Sequence, residues 1–125
     1  MAMLQEIVFD CEHAPRLARF WASAIDGYAV RPYDDAEIAR LAGLGLTPET
    51  DPVVMVDGDG PSLCFQQVDE PKRDKNRVHI DLRGDDRHRE VERLSQLGAT
   101  VHAEYDDHTV LLDPEDNEFC VYDAR

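Results

Sequence analysis

The order of apolar segments in this chain runs twice, and that repetition limits the available folds more than any other feature. Leu4–Cys11 is short and apolar, with Ile7 and Phe9 alternating against Glu6, Val8 and Asp10, as a strand requires. Leu17, Phe20, Trp21, Ala24 and Ile25 then recur at helical spacing behind Pro15, which is tolerated where the first N–H groups have no intrahelical partner. Gly27 is placed to end that helix in a left-handed conformation. Three strands follow, at Tyr28–Arg31, Val53–Val56 and Ser62–Val68.

The second copy has the same order. Val78–Leu82 is a strand, and Asp85 or Asp86 caps a helix with a Val91, Leu94 and Leu97 stripe that Gly98 stops. Ala99–Ala103, Thr109–Leu112 and Glu118–Tyr122 supply three more strands, the last two split by the turn 113–117. Glu6 to Gly27 spans 21 positions and His79 to Gly98 spans 19. The first copy carries an added segment, Pro32–Pro52, with an expected helix at Ala36–Leu44. The expected organisation is one domain over 1–125, with repeats at about 1–68 and 78–125 joined by a polar linker at 69–77, ~60 residues per repeat. A βαβββ unit cannot bury its sheet alone. The expected class is therefore α+β, two such repeats forming one curved mixed or antiparallel sheet with helices outside and a cleft inside.

Alternation along the strands assigns side chains to faces. Ile7, Phe9, Leu63, Phe65, Ile80, Leu82, Phe119 and Val121 are expected against the helices. Glu6, Val8, Cys64, Gln66, His79, Asp81, Cys120 and Tyr122 are expected on the other face. That second set is unusually polar for an interior and is the candidate site.

Composition narrows the function. The 125 residues carry 13 Lys+Arg against 27 Asp+Glu, a formal charge of −14. Phosphate backbones and anionic membranes are repelled by such a surface, so neither nucleic acid nor membrane is an expected partner. Met1–Asp10 lacks the basic start and long apolar run of a signal peptide, and a cytoplasmic location is expected. Cys11, Cys64 and Cys120 are odd in number and widely spaced, which fits reduced thiols better than a disulfide framework. The Gly-rich piece 57–60 is flanked by two carboxylates and reads as a turn rather than a phosphate cradle.

Three segments together resemble a glyoxalase-like member of the vicinal oxygen chelate superfamily, which includes glyoxalase I, extradiol dioxygenases, fosfomycin-resistance enzymes and bleomycin-binding proteins. They are Leu17-Ala18-Arg19-Phe20-Trp21, Lys75-Asn76-Arg77-Val78-His79-Ile80-Asp81-Leu82, and Asp113-Pro114-Glu115-Asp116-Asn117-Glu118-Phe119-Cys120-Val121. The resemblance implies a homodimer and, in metal-dependent members, one ligand from the first and last strand of each repeat. Here those positions are Glu6, Cys64, His79 and Cys120. His79 matches the family's His and Glu6 matches in type. Cys64 and Cys120 replace the glutamates that glyoxalase I-like enzymes use, which argues against classical glyoxalase I activity. Asp116 stands where the family's turn Gly is usual, a change that Asp tolerates in the left-handed region.

Two chemistries follow from these residues. If the cysteines ligate, the four-residue set favours zinc over magnesium or calcium. If they are small buried fillers, which free Cys commonly is, no cofactor is implied. His79 and Asp81, two apart on one strand, share a face where the carboxylate orients the imidazole, and with Glu6 they form the expected catalytic group. Val8, Gln66 and Tyr122 are expected to line the substrate cleft. The expected function is that of a lyase or isomerase acting on a small carbonyl compound. The alternatives are a metal-free binding protein of the bleomycin-resistance type, and a purely structural role with a packed cleft. Trp21 is expected in the core, Lys72, Arg73 and Lys75 in surface ion pairs with Asp69, Glu70 and Asp74, Arg77 tied to the neighbouring unit, and His13, His88, His102 and His108 in solvent.

Overall fold

In the computed structural model, which describes residues 1–124, the element order is β1 (Glu6–Cys11), α1 (Ala14–Ala24), β2 (Ala29–Val30), α2 (Asp35–Gly43), β3 (Val53–Asp57), β4 (Ser62–Gln67), β5 (Ile80–Gly84), α3 (Arg87–Leu97), β6 (Thr100–Glu104), β7 (His108–Leu112) and β8 (Glu118–Asp123). This is the α+β class and the doubled βαβββ order, with α2 as the addition in the first copy. The chain divides into two compact units, one over Met1–Pro71 and one from Lys72 onward, so the boundary falls inside the polar linker. Hydrogen bonds close two four-stranded mixed sheets, where a single sheet was expected. Their orders are β1-β4-β3-β2 and β5-β8-β7-β6. In each, the first strand pairs parallel with the last and the other pairs are antiparallel.

In the N-terminal unit α1 begins with His13 as its cap, whose Nδ1 accepts the Arg16 N–H at 3.2 Å, and Pro15 stands in its first turn. The Leu17, Ala18, Phe20, Trp21 and Ala24 stripe is buried, and Trp21 is a core residue at 1% exposure. Its ring stacks on Phe9, which stacks in turn on Phe65 at 5.1 Å. Phe9 and Phe65 therefore mark the helix face of this sheet, together with buried Val54, Val56 and Leu63. Ile7 has the same parity but is exposed, because β1 is an edge strand and α1 lies over β2, β3 and β4. Gly27 takes φ +76°, the left-handed turn expected after the helix. β2 is only two residues, since Pro32 cannot donate to a ladder. The 57–60 segment is the β3–β4 turn. A Cβ on Gly58 would collide with the Tyr28 ring, whose hydroxyl donates to Pro61 O at 3.0 Å.

In the C-terminal unit Asp86 caps α3 by accepting the Arg89 N–H, and Gly98 ends it at φ +123°. Leu94, Leu111, Phe119 and Val121 are fully buried. The turn before β8 is tied by Asp113, 2% exposed, whose Oδ1 accepts the N–H groups of Glu115 (2.8 Å) and Asn117 (3.0 Å). Asp116 takes φ 67°, as its place in the turn demands. The strand expected from Val78 starts instead at Ile80. Asn76 Oδ1 takes the Glu118 N–H at 2.9 Å, occupying the ladder's first acceptor position, and Val78 is left 75% exposed. Residues 72–77 thus belong to this unit rather than to a free linker. Lys72 and Lys75 both pair with Glu118, rather than with Asp69, Glu70 or Asp74. Among the described residues, no helix is long and apolar enough to cross a membrane.

Candidate functional site

The parallel ladders give each unit one grid of positions on the face away from its helix. In the N-terminal unit Glu6 pairs with Ser62, Val8 with Cys64 and Asp10 with Gln66. On β4's other side Cys64 faces Met55 and Gln66 faces Val53. In the C-terminal unit Asp81 pairs with Cys120 and Arg83 with Tyr122, while Cys120 faces Val110 and Tyr122 faces His108. Val8 therefore corresponds to Asp81, Cys64 to Cys120, and Gln66 to Tyr122. Glu6 and His79 each stand two residues before the strand position that faces the cysteine.

The C-terminal grid brings His79, Asp81 and Cys120 together, with one donor atom of each within 4.8 Å of the others. Among the described residues this is the group of three or more His, Cys, Asp or Glu side chains able to hold a metal ion. His79 Nε2 lies 3.1 Å from Asp81 Oδ1, and both side chains are about half exposed. The contact sets the Nε2 edge of the imidazole against the carboxylate and leaves Nδ1 on the other edge of the ring. Cys120 is buried, and its thiol is pushed above its ordinary range by that burial and by the charge and hydrogen bond of Asp81. It is a neutral thiol unless a cation arrives to offset the carboxylate. Tyr122 is raised as well, by burial and by Asp81, Cys120 and Asp107. Its phenol remains a hydrogen-bond donor through neutral pH.

The N-terminal grid holds a different arrangement. The Cys64 thiol is pushed up by burial and then by its hydrogen bond to Glu6. On β3 of the same sheet, Asp57 is held by Arg31 through two bonds, Nε–Oδ2 at 2.8 Å and Nη2–Oδ1 at 3.0 Å, and by Ser62 Oγ at 2.7 Å. These bonds keep the Asp57 carboxyl below the usual carboxylate range. Val8 and Gln66 are exposed. Of the expected ligands, Glu6 and Cys64 thus lie in this unit, and His79 and Cys120 in the other.

One residue expected in solvent has a structural role at the candidate site. The His108 ring is sandwiched between Tyr105 (4.8 Å, 13°) and Tyr122 (4.7 Å, 17°), and its Nδ1 lies 2.7 Å from Asp107 Oδ1. The signal in the sequence was the alternation of His108 with Val110 on β7, opposite Tyr122, which only the strand register makes meaningful.

Comparison with known proteins gives three results. The family model described as "Glyoxalase-like domain" matches residues 6–122. No curated protein sequence matches. Several solved structures share the fold. A glyoxalase/bleomycin resistance protein/dioxygenase family enzyme from Burkholderia phytofirmans is 15% identical with a TM-score of 0.67, over 99% of this chain and 100% of that one. The fosfomycin resistance protein FosX from Mesorhizobium loti is 16% identical at 0.67, over 98% and 91%. A mutant FosX from Listeria monocytogenes, solved with Mn(II) and 1S,2S-dihydroxypropylphosphonic acid, is 12% identical at 0.67, over 98% and 90%.

Proposed function

The chain belongs to the glyoxalase-like domain family, and from that premise we propose that it is a small-molecule enzyme, a lyase or isomerase, acting on a small carbonyl compound at the open face of its C-terminal unit. The observation that carries this reading is the His79–Asp81–Cys120 cluster: an oriented imidazole, the carboxylate that orients it and a neutral thiol, all on one face.

In this reading His79 Nδ1 takes the proton next to the substrate carbonyl. For an α-hydroxy carbonyl compound the C–H electron pair forms the double bond of an enediolate as the carbonyl π pair moves to its oxygen. The hydroxyl proton passes to that oxygen, the hydroxyl-bearing carbon becomes the new carbonyl, and the same nitrogen returns its proton to the former carbonyl carbon. Asp81 holds the ring in the required tautomer and offsets the imidazolium charge that forms. The Tyr122 hydroxyl donates to the oxygen on which negative charge develops. Substrate enters as a compound small enough to lie across the Asp81, Cys120 and Tyr122 positions.

The same donors fit a divalent ion. A nitrogen, a carboxylate oxygen and a sulfur lie close together, and the ion would offset the repulsion that now keeps Cys120 protonated. His79, Asp81 and Cys120 would hold it, with zinc favoured by the sulfur. Bound there, it would supply a Lewis acid for the carbonyl oxygen. Mn(II) in the FosX relative supports a divalent ion as a candidate in this fold.

A metal-free binder of the bleomycin-resistance type is the second reading. It is favoured by the N-terminal grid, where Val8 stands in place of Asp81 and Glu6 in place of His79, so that no imidazole is present. In both readings a small molecule is the partner, the assembly is a homodimer and the location is cytoplasmic.

Two measurements test the proposal. Metal content of untagged, chelator-free protein is read by elemental mass spectrometry before and after loading with zinc, nickel, manganese and iron(II). Retention lost in His79→Ala and Cys120→Ala supports the metal form; retention unchanged in both variants overturns it. Exchange of α-protons for deuterium is then followed by NMR across a panel of small carbonyl compounds. Exchange abolished in His79→Ala supports the enzyme. Stoichiometric binding without exchange for any compound would overturn it in favour of the binder.

A further inference from the structure

We propose that His108 is a positioning residue for Tyr122, its ring clamped between Tyr105 and Tyr122 so that the Tyr122 side chain stays over the His79–Asp81–Cys120 cluster. This rests on the proposed site and deepens it.

Tyr122 lies on β8 two residues beyond Cys120, so both side chains leave the sheet on the same face, and Tyr122 faces His108 across the antiparallel ladder. A tyrosine on an open sheet face can take more than one χ1 rotamer. What selects one here is the column of three nearly parallel rings, with centroid separations of 4.8 and 4.7 Å. The column is itself anchored. Asp107 Oδ1 holds His108 Nδ1 at 2.7 Å. The Tyr105 N–H donates to His108 O at 2.8 Å, and the Asp123 N–H to Asp107 O at 3.2 Å. From α3, Arg87 reaches under the turn, donating from Nη1 to Tyr105 O (2.9 Å) and from Nη2 to Asp106 O (3.1 Å), with Nε 3.1 Å from Asp123 Oδ1. The Arg87 side chain is 11% exposed, although it carries a charge. A guanidinium is placed there to fix the turn that presents Tyr105 and Asp107 to His108.

The test needs neither substrate nor metal, so it can fail or succeed independently of the proposed reaction. The full chain is labelled with 3-fluorotyrosine and its four tyrosine signals are assigned by single Tyr→Phe variants. Asp81→Asn is expected to move the Tyr122 fluorine resonance in the otherwise native protein. In His108→Ala that perturbation is expected to vanish, and in His108→Phe, which keeps a flat ring between the tyrosines, to return. If His108→Ala fails to fold by circular dichroism, His108→Leu against His108→Phe decides: loss in the first and retention in the second supports the assignment. Equal perturbation with and without a ring at this position overturns it. So does the absence of any perturbation by Asp81→Asn in the native background, which would remove Tyr122 from the cluster.

Discussion

The two units share one ladder plan, and their open faces differ at single positions with large chemical consequences. At the strand position facing the buried cysteine, the C-terminal unit has Asp81 and the N-terminal unit has Val8. Two residues earlier stand His79 and Glu6. The N-terminal unit does carry carboxylates on its sheet, but Glu6 is the hydrogen-bond partner of Cys64, and Arg31 and Ser62 hold Asp57 with three hydrogen bonds. In the C-terminal unit the lysines go to Glu118, and Asp81 is left to the imidazole and the thiol. A duplicated scaffold can thus keep its packing in both copies while reactive groups are concentrated in one. The helix faces show what the two copies share: Leu63 and Phe119 occupy equivalent positions, as do Phe65 and Val121, and all four are buried.

The largest effects should come from that shared packing. Phe65→Ala and Phe119→Ala are each expected to destabilise the protein by ~3–5 kcal/mol, the usual result of emptying a buried aromatic site. Urea unfolding followed by circular dichroism measures both. A loss confined to one of them would show that the two helix faces do not contribute alike to stability.

Acid stability separates the units next. Asp57 has its folded pKa lowered by Arg31 and Ser62, and Glu118 has its own lowered by Lys75 and Lys72. A lowered carboxyl pKa gives stability that is present above the unfolded value and is lost as pH falls through the folded one. Asp57→Asn and Glu118→Gln should therefore each flatten the decline in stability at acid pH and lower stability at neutral pH. Chemical denaturation across the acid range reads both changes. Unaltered acid profiles in both variants would mean that the exposed pairs contribute nothing measurable, as many do.

The smallest and most specific effects concern the thiols. Asp81→Asn removes a group that raises the Cys120 pKa, so alkylation of Cys120, located by peptide mass spectrometry, should set in at lower pH. Val8→Asp performs the converse exchange opposite Cys64, and alkylation there should require higher pH. Val8 is 50% exposed, so the carboxylate enters at little cost in packing. Opposite shifts at the two cysteines would make the register equivalence quantitative. No shift at either would dissolve it.

Much of this was legible in the sequence because it is carried by local chemistry. Apolar periodicity marked the helices and Gly27 and Gly98 marked their ends, while the family resemblance set Asp116 at a turn position where a left-handed residue is usual. The face assignment followed from alternation alone, and it set Asp81, Cys120 and Tyr122 on one side of one sheet. Where the reading departed from the structure, a non-local partner was responsible. Asn76 supplied the acceptor that delayed β5 past His79. Arg87 and Asp107 turned His108 from a solvent-facing loop residue into part of an aromatic column. Ile7 stayed exposed because the reach of α1 depends on how the helix crosses the sheet.

The sequence by itself determined the doubled α+β plan, the membership of each face and the residue types available for proton transfer or metal binding, since these depend on spacing along the chain. Only the tertiary structure decided which of those residues share a cluster and which carboxylates are already neutralised. Those outcomes depend on ladder register and on side chains that reach across tens of positions, and strand periodicity contains neither.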